Sequence, residues 1–438
     1  MTKAIICLLP CHSPNRPPLG LASLKSFSFH KGFDIKTIDY NIKVFNNSEN
    51  KELWKPENFF PWTNKAGFKN ILSKISSELD RIIQELLEYK ADLIGFSVFS
   101  TNKITTEYVI SGLKSRGIKS KIAVGGPQIR KDIDAFYFIE KSIADFSVYT
   151  EGEIPLVDIL KDKKRPRGTI IKEHDNIITI PPESPKKLFS PDFSDLLNNK
   201  YLQSNTLPFM FTRGCPNRCA YCEERTLFTK LIFFDSDEFG IFIKEAKKSG
   251  IKRIIFGDSQ INPSKKVFKI ILNILSKHKG FSFEGNIFAS KWISKYDIKS
   301  IKRCGFNVLT VGVESGSPRV LKMMNKNISL FKIFFLAFWC KRLGIKLKMN
   351  FIIGFPTERW SDFFLTLLFI FIIRPLKPII SPIASTCAAL SGSDIYKNPE
   401  KYGITMLHTL YFRSHDNDYR IRFLRMKIFN RFLKILGY

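Results

Sequence analysis

The chain has 438 residues, 44% of them hydrophobic and 25% charged, which is enough for two domains of ordinary size and gives no reason to expect disorder. Its formal net charge of +29 sets up a field that attracts anions, which bears on association rather than on fold. Eight dispersed cysteines exclude a secreted disulfide framework and point to a reducing compartment, here read as the cytoplasm.

From its start the chain alternates strand and helix. The apolar run within Met1 to Pro10 is too short for a signal peptide and reads as a first strand, Lys3 to Leu9. A Pro/Gly-rich loop, Pro10 to Gly20, and a helical pattern from Leu21 lead to a second strand, Phe33 to Asp39. The aromatic segment Trp54 to Asn64 is irregular, Ile71 to Tyr89 has helical spacing, and Asp92 to Ser97 is a strand with a small-residue end. After a helix through Tyr108 to Lys114, a further strand from Lys121 stops on Gly125-Gly126-Pro127. This rhythm predicts an α/β fold with a doubly wound parallel sheet over residues 1–160. Ligands of such sheets sit outside the carboxyl ends of the strands, here the loops 10–20, 97–102, 125–128 and 150–153. No G-x-G-x-x-G follows the first strand, and Gly125-Gly126 taken alone fits a tight turn as well as a ligand site.

Residues 161–205 read as a linker: a charge run from Lys161 to Arg167, a hairpin from Gly168 to Ile180 turning at Asp175-Asn176, and a stiff Pro181 to Pro185. The β/α rhythm restarts at Leu207, with predicted strands Phe209–Thr212, Arg253–Phe256, Phe281–Ile287, Val308–Val313, Lys346–Ile353 and Ile379–Thr386. Six units are fewer than a closed barrel needs, so a partial (β/α)6 barrel is expected over 206–400, with its site on the loops after the strands. The apolar stretch Phe363 to Ile373 ends at Arg374-Pro375, well short of the ~20 residues of a membrane span. A basic segment, 401–438, follows.

Directly after the first barrel strand stands Arg213-Gly214-Cys215-Pro216-Asn217-Arg218-Cys219-Ala220-Tyr221-Cys222, a C-x3-C-x2-C loop. Three thiolates can hold three irons of a cubane cluster and leave the fourth open. A zinc knuckle would want a fourth ligand that the loop lacks, and a disulfide with one spare thiol is the blander alternative. Asp258 and Asn262, after the second strand, either orient a ligand or form an ordinary Asx turn. Glu314, beside Gly312 at the end of the fourth, suits a ribose hydroxyl or an ammonium group, or else a salt bridge to a nearby cation. Of six histidines none has a ligand partner at close spacing, and His12 is the one in a ligand-facing loop. Cys304, Cys340 and Cys387 read as core residues.

With Tyr221 before its last cysteine, this loop resembles that of the radical S-adenosylmethionine (SAM) superfamily. The domain in front, with Gly125-Gly126-Pro127, Tyr149 to Glu153 and Lys187 to Phe193, resembles the subgroup with an N-terminal cobalamin (B12)-binding domain, as do Gly312 to Ser317, Val320 to Lys326 and Gly354 to Glu358. The resemblance implies that Cys215, Cys219 and Cys222 hold a [4Fe-4S] cluster and that S-adenosyl-L-methionine at the open iron yields a 5′-deoxyadenosyl radical. It further implies that Glu314 contacts adenosylmethionine, that Gly312, Tyr221, Asp258 and Asn262 lie nearby, and that Gly125 and Gly126 border the cobalamin tail. Implied partners are a small-molecule or peptide substrate and a reductant such as flavodoxin or ferredoxin, with no membrane span. Methyl transfer to an unactivated carbon or phosphorus centre is the expected reaction. Rearrangement, cyclisation, oxidation, radical RNA modification on a nucleic acid and a non-catalytic sensor are the alternatives. The chain departs from the pattern in lacking D-x-H-x-x-G, and in carrying Gln128 where histidine often follows Gly-Gly-Pro.

Overall fold

The structure, a computed structural model, describes residues 3–228, 230–377 and 379–438, so Met1 and Thr2 of the predicted first strand region lie outside the described residues. Contacts divide the chain into two units. One runs to Pro208 and adds Phe234–Ile251, and the other comprises Phe209–Phe233 and Lys252–Tyr438.

The first unit is built on five parallel strands: β1 (Ala4–Leu8), β2 (Lys36–Asp39), β3 (Leu93–Ser97), β4 (Lys121–Gly125) and β5 (Phe146–Val148). Helices on both faces explain why β1 is apolar and buried at every position. The long helix Lys65–Tyr89 turns one stripe inward, from Phe68 through Ile75 and Leu79 to Leu86. The irregular aromatic segment is three short 3-10 turns that place Trp54 and Trp62 in the core, where the Trp54 indole donates to Asn41 Oδ1 (2.7 Å).

The hairpin assigned above to the linker belongs to this sheet instead. Its strands, β6 (Thr169–Glu173) and β7 (Asn176–Thr179), add antiparallel to β5, giving the order β2-β1-β3-β4-β5-β6-β7. Burial of Thr169, Ile170 and Ile171 against the unit fixes it there. The stretch after it is also packed: Leu188 and Phe193 are buried, and Phe193 meets Phe242.

A six-stranded sheet begins with β8 (Thr206–Phe209), whose last residue opens the second unit. A two-residue pair follows, β9 (Thr212–Arg213) antiparallel to β10 (Ile232–Phe233). The sheet continues with β11 (Arg253–Phe256), β12 (Ser282–Ile287), β13 (Phe306–Glu314), β14 (Lys346–Ile353) and β15 (Ile380–Thr386), in the order β15-β14-β13-β12-β11-β8, with β11 to β15 parallel. The predicted strand Phe209–Thr212 is therefore broken. The amide N–H groups of Phe211 and Thr212 donate to the Asp258 carboxylate at 3.0 and 2.6 Å instead of to a neighbouring strand.

The basic C-terminal segment is part of the core and not a tail. Helix Tyr419–Leu436 packs on β14 and β15 and buries Arg422 and Arg425. Arg425 pairs with the fully buried Glu358 at 3.0 Å, and Arg422 lies 3.8 Å from the centroid of the Phe412 ring. Among the described residues no helix is long and apolar enough to cross a membrane.

Candidate functional site

The cysteine loop leaves β9 at Gly214, whose φ of +88° and closeness to Lys230 leave no room for a side chain. Beneath the loop, Ala220 belongs to a cluster with Met324, Phe355, Tyr402, Ile404 and Phe412, so the C-terminal segment supports it directly. Backbone bonds from Ala220 N–H to Met324 O (2.9 Å) and from Ile395 N–H to Ala220 O (3.0 Å) pin the same point. All three loop cysteines are free thiols, which removes the disulfide alternative. Burial pushes Cys215 and Cys219 up from the ordinary thiol range and Cys222 to about 11, so their thiolates are disfavoured until a bound metal compensates the negative charge. Among the described residues no three His, Cys, Asp or Glu side chains converge on a single ion. Thiolates on separate irons of a cubane do not need to converge in that way, so the donor set fits a cluster better than a zinc site.

Beside the loop an ion pair and a tyrosine meet in a largely buried cluster. Tyr221 Oη donates to Glu314 Oε1 at 2.8 Å, and Lys326 Nζ donates to Glu314 Oε1 at 2.9 Å and to Tyr221 Oη at 3.1 Å. The salt bridge, one of two sequence readings of Glu314, is thus formed, and Lys326 is the partner that sequence reasoning did not single out. Burial pulls Lys326 down, but the charges of Glu314 and Cys219 more than offset it, so its ammonium is held above the usual lysine range. Glu314 stands at φ +67°, where the pairing of β13 with β14 shifts register. A bulge of this kind re-aims a side chain at a strand end, at a backbone cost of order 1–3 kcal/mol. Gly312 leaves room for this pair, because a Cβ on it would come within 2.1 Å of Glu314 Oε1 and 2.9 Å of Lys326 Nζ and displace them.

Asp258 and Asn262 are turned toward the protein. Asp258 is fully buried and accepts from Phe211 N–H, Thr212 N–H and Thr212 Oγ1–H (2.8 Å), so it shapes the approach to the cysteine loop. Burial raises its pKa to about 7 against those three donors. Asn262 exchanges bonds with the Phe288 backbone, donating to its carbonyl and accepting from its N–H, both at 2.8 Å. Gln260, another residue the sequence reading passed over, sits in this loop with Nε2 3.9 Å from Cys215 Sγ. Cys304, Cys340 and Cys387 are buried, as core residues should be.

In the first unit, the strand order reverses between β1 and β3, the switch point at which such sheets bind ligands. The loops after these strands are stitched together there: Thr101 Oγ1 donates to Cys11 O (2.6 Å), and Asn102 Nδ2 donates to Leu9 O (3.1 Å) and Ser97 O (3.0 Å). His12 packs its ring 4.6 Å from that of Phe99, and burial holds it neutral, with a pKa near 4. Gly126, at φ +105°, lets the loop after β4 lie against Val98, whose carbonyl would meet a Cβ at 2.8 Å. Gln128 donates to Asp134 at 2.5 Å, so the position that could carry a histidine is engaged within the protein. Asp134 is in turn paired with Lys103 at 2.6 Å, so the loops after β3 and β4 are joined by an ion pair as well as by amides.

Comparison with known proteins decides between these readings. Residues 209–370 match the model of the radical SAM superfamily, and residues 63–160 match that of the B12 binding domain. The chain joins a radical SAM domain to a B12 binding domain. Such domains take a [4Fe-4S] cluster with adenosylmethionine and cobalamin, respectively, and the donor sets described above fit them.

The chain is 26% identical over 364 residues to a Methanocaldococcus jannaschii protein named as a methylthiotransferase, covering 78% of the chain and 77% of that relative. It is 26% identical over 303 residues to an uncharacterized methyltransferase of Pyrococcus horikoshii, covering 64% of each. Its fold is that of TsrM from Kitasatospora setae, a radical S-adenosylmethionine methyltransferase solved with cobalamin and a [4Fe-4S] cluster. The match has a TM-score of 0.71 at 14% identity and covers 93% of this chain and 80% of that one.

Proposed function

We propose that the protein transfers a methyl group from cobalamin to an unactivated carbon or phosphorus centre of a small-molecule or peptide substrate. The observation that carries this reading is the presence, in one chain, of a C-x3-C-x2-C loop braced beside the Glu314–Lys326 pair and of a B12 binding domain. A methyltransferase name on a relative supports the reaction class. When bound, the cluster with adenosylmethionine supplies a 5′-deoxyadenosyl radical, and cobalamin supplies a transferable methyl group. The chain's own part is to hold and orient. Cys215, Cys219 and Cys222 hold the cluster, with Gln260 at the edge of Cys215. Glu314, fixed by Lys326 and Tyr221, presents a carboxylate to the polar end of adenosylmethionine, and Gly312 keeps the space beside it open. Asp258 and Asn262 act behind them as positioning residues. In the first unit, Gly125, Gly126 and the His12 loop form the bed for cobalamin. A reductant such as flavodoxin or ferredoxin delivers the electron.

Anaerobic reconstitution with iron, sulfide and cobalamin tests this directly. Iron–sulfur absorption, deoxyadenosine formation and a methyl label passing from adenosylmethionine to product are expected. Absence of iron–sulfur absorption, or deoxyadenosine formation by a Cys219→Ala variant, would overturn it.

The named function of the M. jannaschii relative favours a second reading, methylthiolation. That chemistry would call for a further cysteine trio in the first unit, which has only Cys7 and Cys11. Both are buried, burial pushes both thiols far above the ordinary range, and Cys7 Sγ donates to Gly95 O (3.4 Å). Product mass separates the two, since methylthiolation adds sulfur.

A further inference from the structure

Three outer helices of the second unit expose apolar side chains where a solvated face normally carries charge. Helix Trp360–Ile373 exposes Phe364, Leu368, Phe371 and Ile372 at the three- and four-residue spacing of a single stripe. Its one charged residue, Asp362, is buried. Helix Tyr419–Leu436, packed beside it, exposes Phe423 and Leu424, and helix Leu330–Leu343 exposes Phe331 and Phe338. Apolar surface of this extent on a folded chain marks an interaction site.

Charge selects the occupant. None of the three helices carries an exposed acidic side chain, whereas exposed cations border the apolar stripes. Lys427 lies 4.6 Å from the centroid of the Phe423 ring, Arg342 lies 5.5 Å from that of Phe338, and Arg374 follows the last turn of Trp360–Ile373. Arg431 and Lys434 extend the cationic side of Tyr419–Leu436. A second copy would set the same cations against one another, on chains that each carry a net charge of +29. At about 1.5 Å per residue, the 14 residues of Trp360–Ile373 are too short to span a bilayer but long enough to lie in its surface. An apolar stripe edged by Lys and Arg is the pattern of an interfacial helix.

We propose that this face docks on an anionic phospholipid surface, with Phe364, Leu368, Phe371 and Phe423 entering the headgroup boundary while Lys427, Arg431 and Arg374 meet lipid phosphates. The assignment is independent of the reaction proposed above.

The test is co-sedimentation of the full chain, reconstituted with cluster and cobalamin, with vesicles of phosphatidylglycerol and phosphatidylcholine or of phosphatidylcholine alone. Binding to the anionic vesicles that weakens with salt is expected. At about one factor of five per cation near the surface, Lys427→Gln with Arg431→Gln should lower partitioning roughly thirty-fold. Phe364→Ser with Phe371→Ser should weaken binding to a comparable degree, with circular dichroism confirming that the fold is kept. If the Ser pair unfolds, the Gln pair on exposed polar positions decides alone. Failure to bind, equal binding to both vesicle types, or unchanged partitioning in the folded variants would overturn the proposal. So would a solution dimer that the Ser pair dissociates.

Discussion

The ligand ends of the two units differ in kind. In the second unit, Glu314 is held at a positive φ on a bulged strand and is ion-paired with Lys326 beside the cysteine loop. In the first unit, the residues that meet at the switch point, among them Leu9, Cys11, His12, Val98 and Asn102, carry no formal charge and are joined by backbone and amide hydrogen bonds. The difference matches what each is proposed to hold. Adenosylmethionine brings an ammonium and a carboxylate that need fixed charges, whereas a corrin brings a broad face that needs space and hydrogen bonds. Positioning by charge is also the more fragile arrangement, because removing one member leaves another buried and alone.

The sharpest way to break this contrast is at the cysteines. Cys219→Ala is expected to abolish iron–sulfur absorption and deoxyadenosine formation while cobalamin still co-purifies with the chain. Loss of both cofactors together would mean that the two ends are not independent. Next in size is Lys326→Met. With side chains only 9% and 8% exposed, breaking the Lys326–Glu314 pair should cost about 3–5 kcal/mol, read as a lowered thermal midpoint. Adding Glu314→Gln should restore most of that loss, since the buried uncompensated charge is then gone, but not adenosylmethionine binding.

Asp258 allows a pH test of the same unit. Burial raises its folded pKa to about 7, above the roughly 3.9 of an unfolded aspartate. The folded state therefore binds the proton more tightly, and this group's contribution to stability is greatest below about pH 4. It falls by up to about 1.4 kcal/mol per pH unit as pH rises toward 7 and is flat beyond. Asp258→Asn should lack that slope, so the difference between variant and parent, measured by thermal unfolding of the apo chain from pH 5 to 8, should change by up to about 1.4 kcal/mol per pH unit below pH 7 and level off above it. A constant offset remains, because Asn presents one acceptor oxygen to three donors.

Much of this was legible before any coordinates. C-x3-C-x2-C is a local pattern whose spacing itself carries the chemistry, and strands declare themselves as a short apolar run in Arg253–Phe256 and as alternation in Lys346–Ile353. What escaped notice depends on contacts between residues far apart in the chain. Lys326 is one of 69 basic residues until β13 delivers Glu314 to it, and Asp258 breaks the predicted strand Phe209–Thr212 from 46 residues away. In the sequence the arginines of Tyr419–Leu436 are only part of a basic segment, with nothing local to say which are buried. Arg425 is buried only because Glu358 and Asn417 wait for it, at 3.0 and 2.6 Å. The hairpin β6–β7 was placed in a linker because no sequence rule states that β5 needs an antiparallel neighbour.

The neutral end is where the sequence said least, and Gly125-Gly126 is where the smallest effects should sharpen the contrast. Gly126→Ala must place a Cβ 2.8 Å from Val98 O at φ +105°, so a loss of about 1–3 kcal/mol of stability is expected, with iron–sulfur absorption unchanged. Gly125→Ala would bring its Cβ 3.3 Å from Val148 Cβ, a contact that a shift of a few tenths of an ångström relieves, so stability should stay within about 0.5 kcal/mol of the parent. If Gly125 borders the cobalamin tail, that same near-neutral variant should weaken cobalamin binding several-fold in an equilibrium titration of the apo chain. Unchanged affinity would reduce the glycine pair to a tight turn that brings the loop after β4 against Val98.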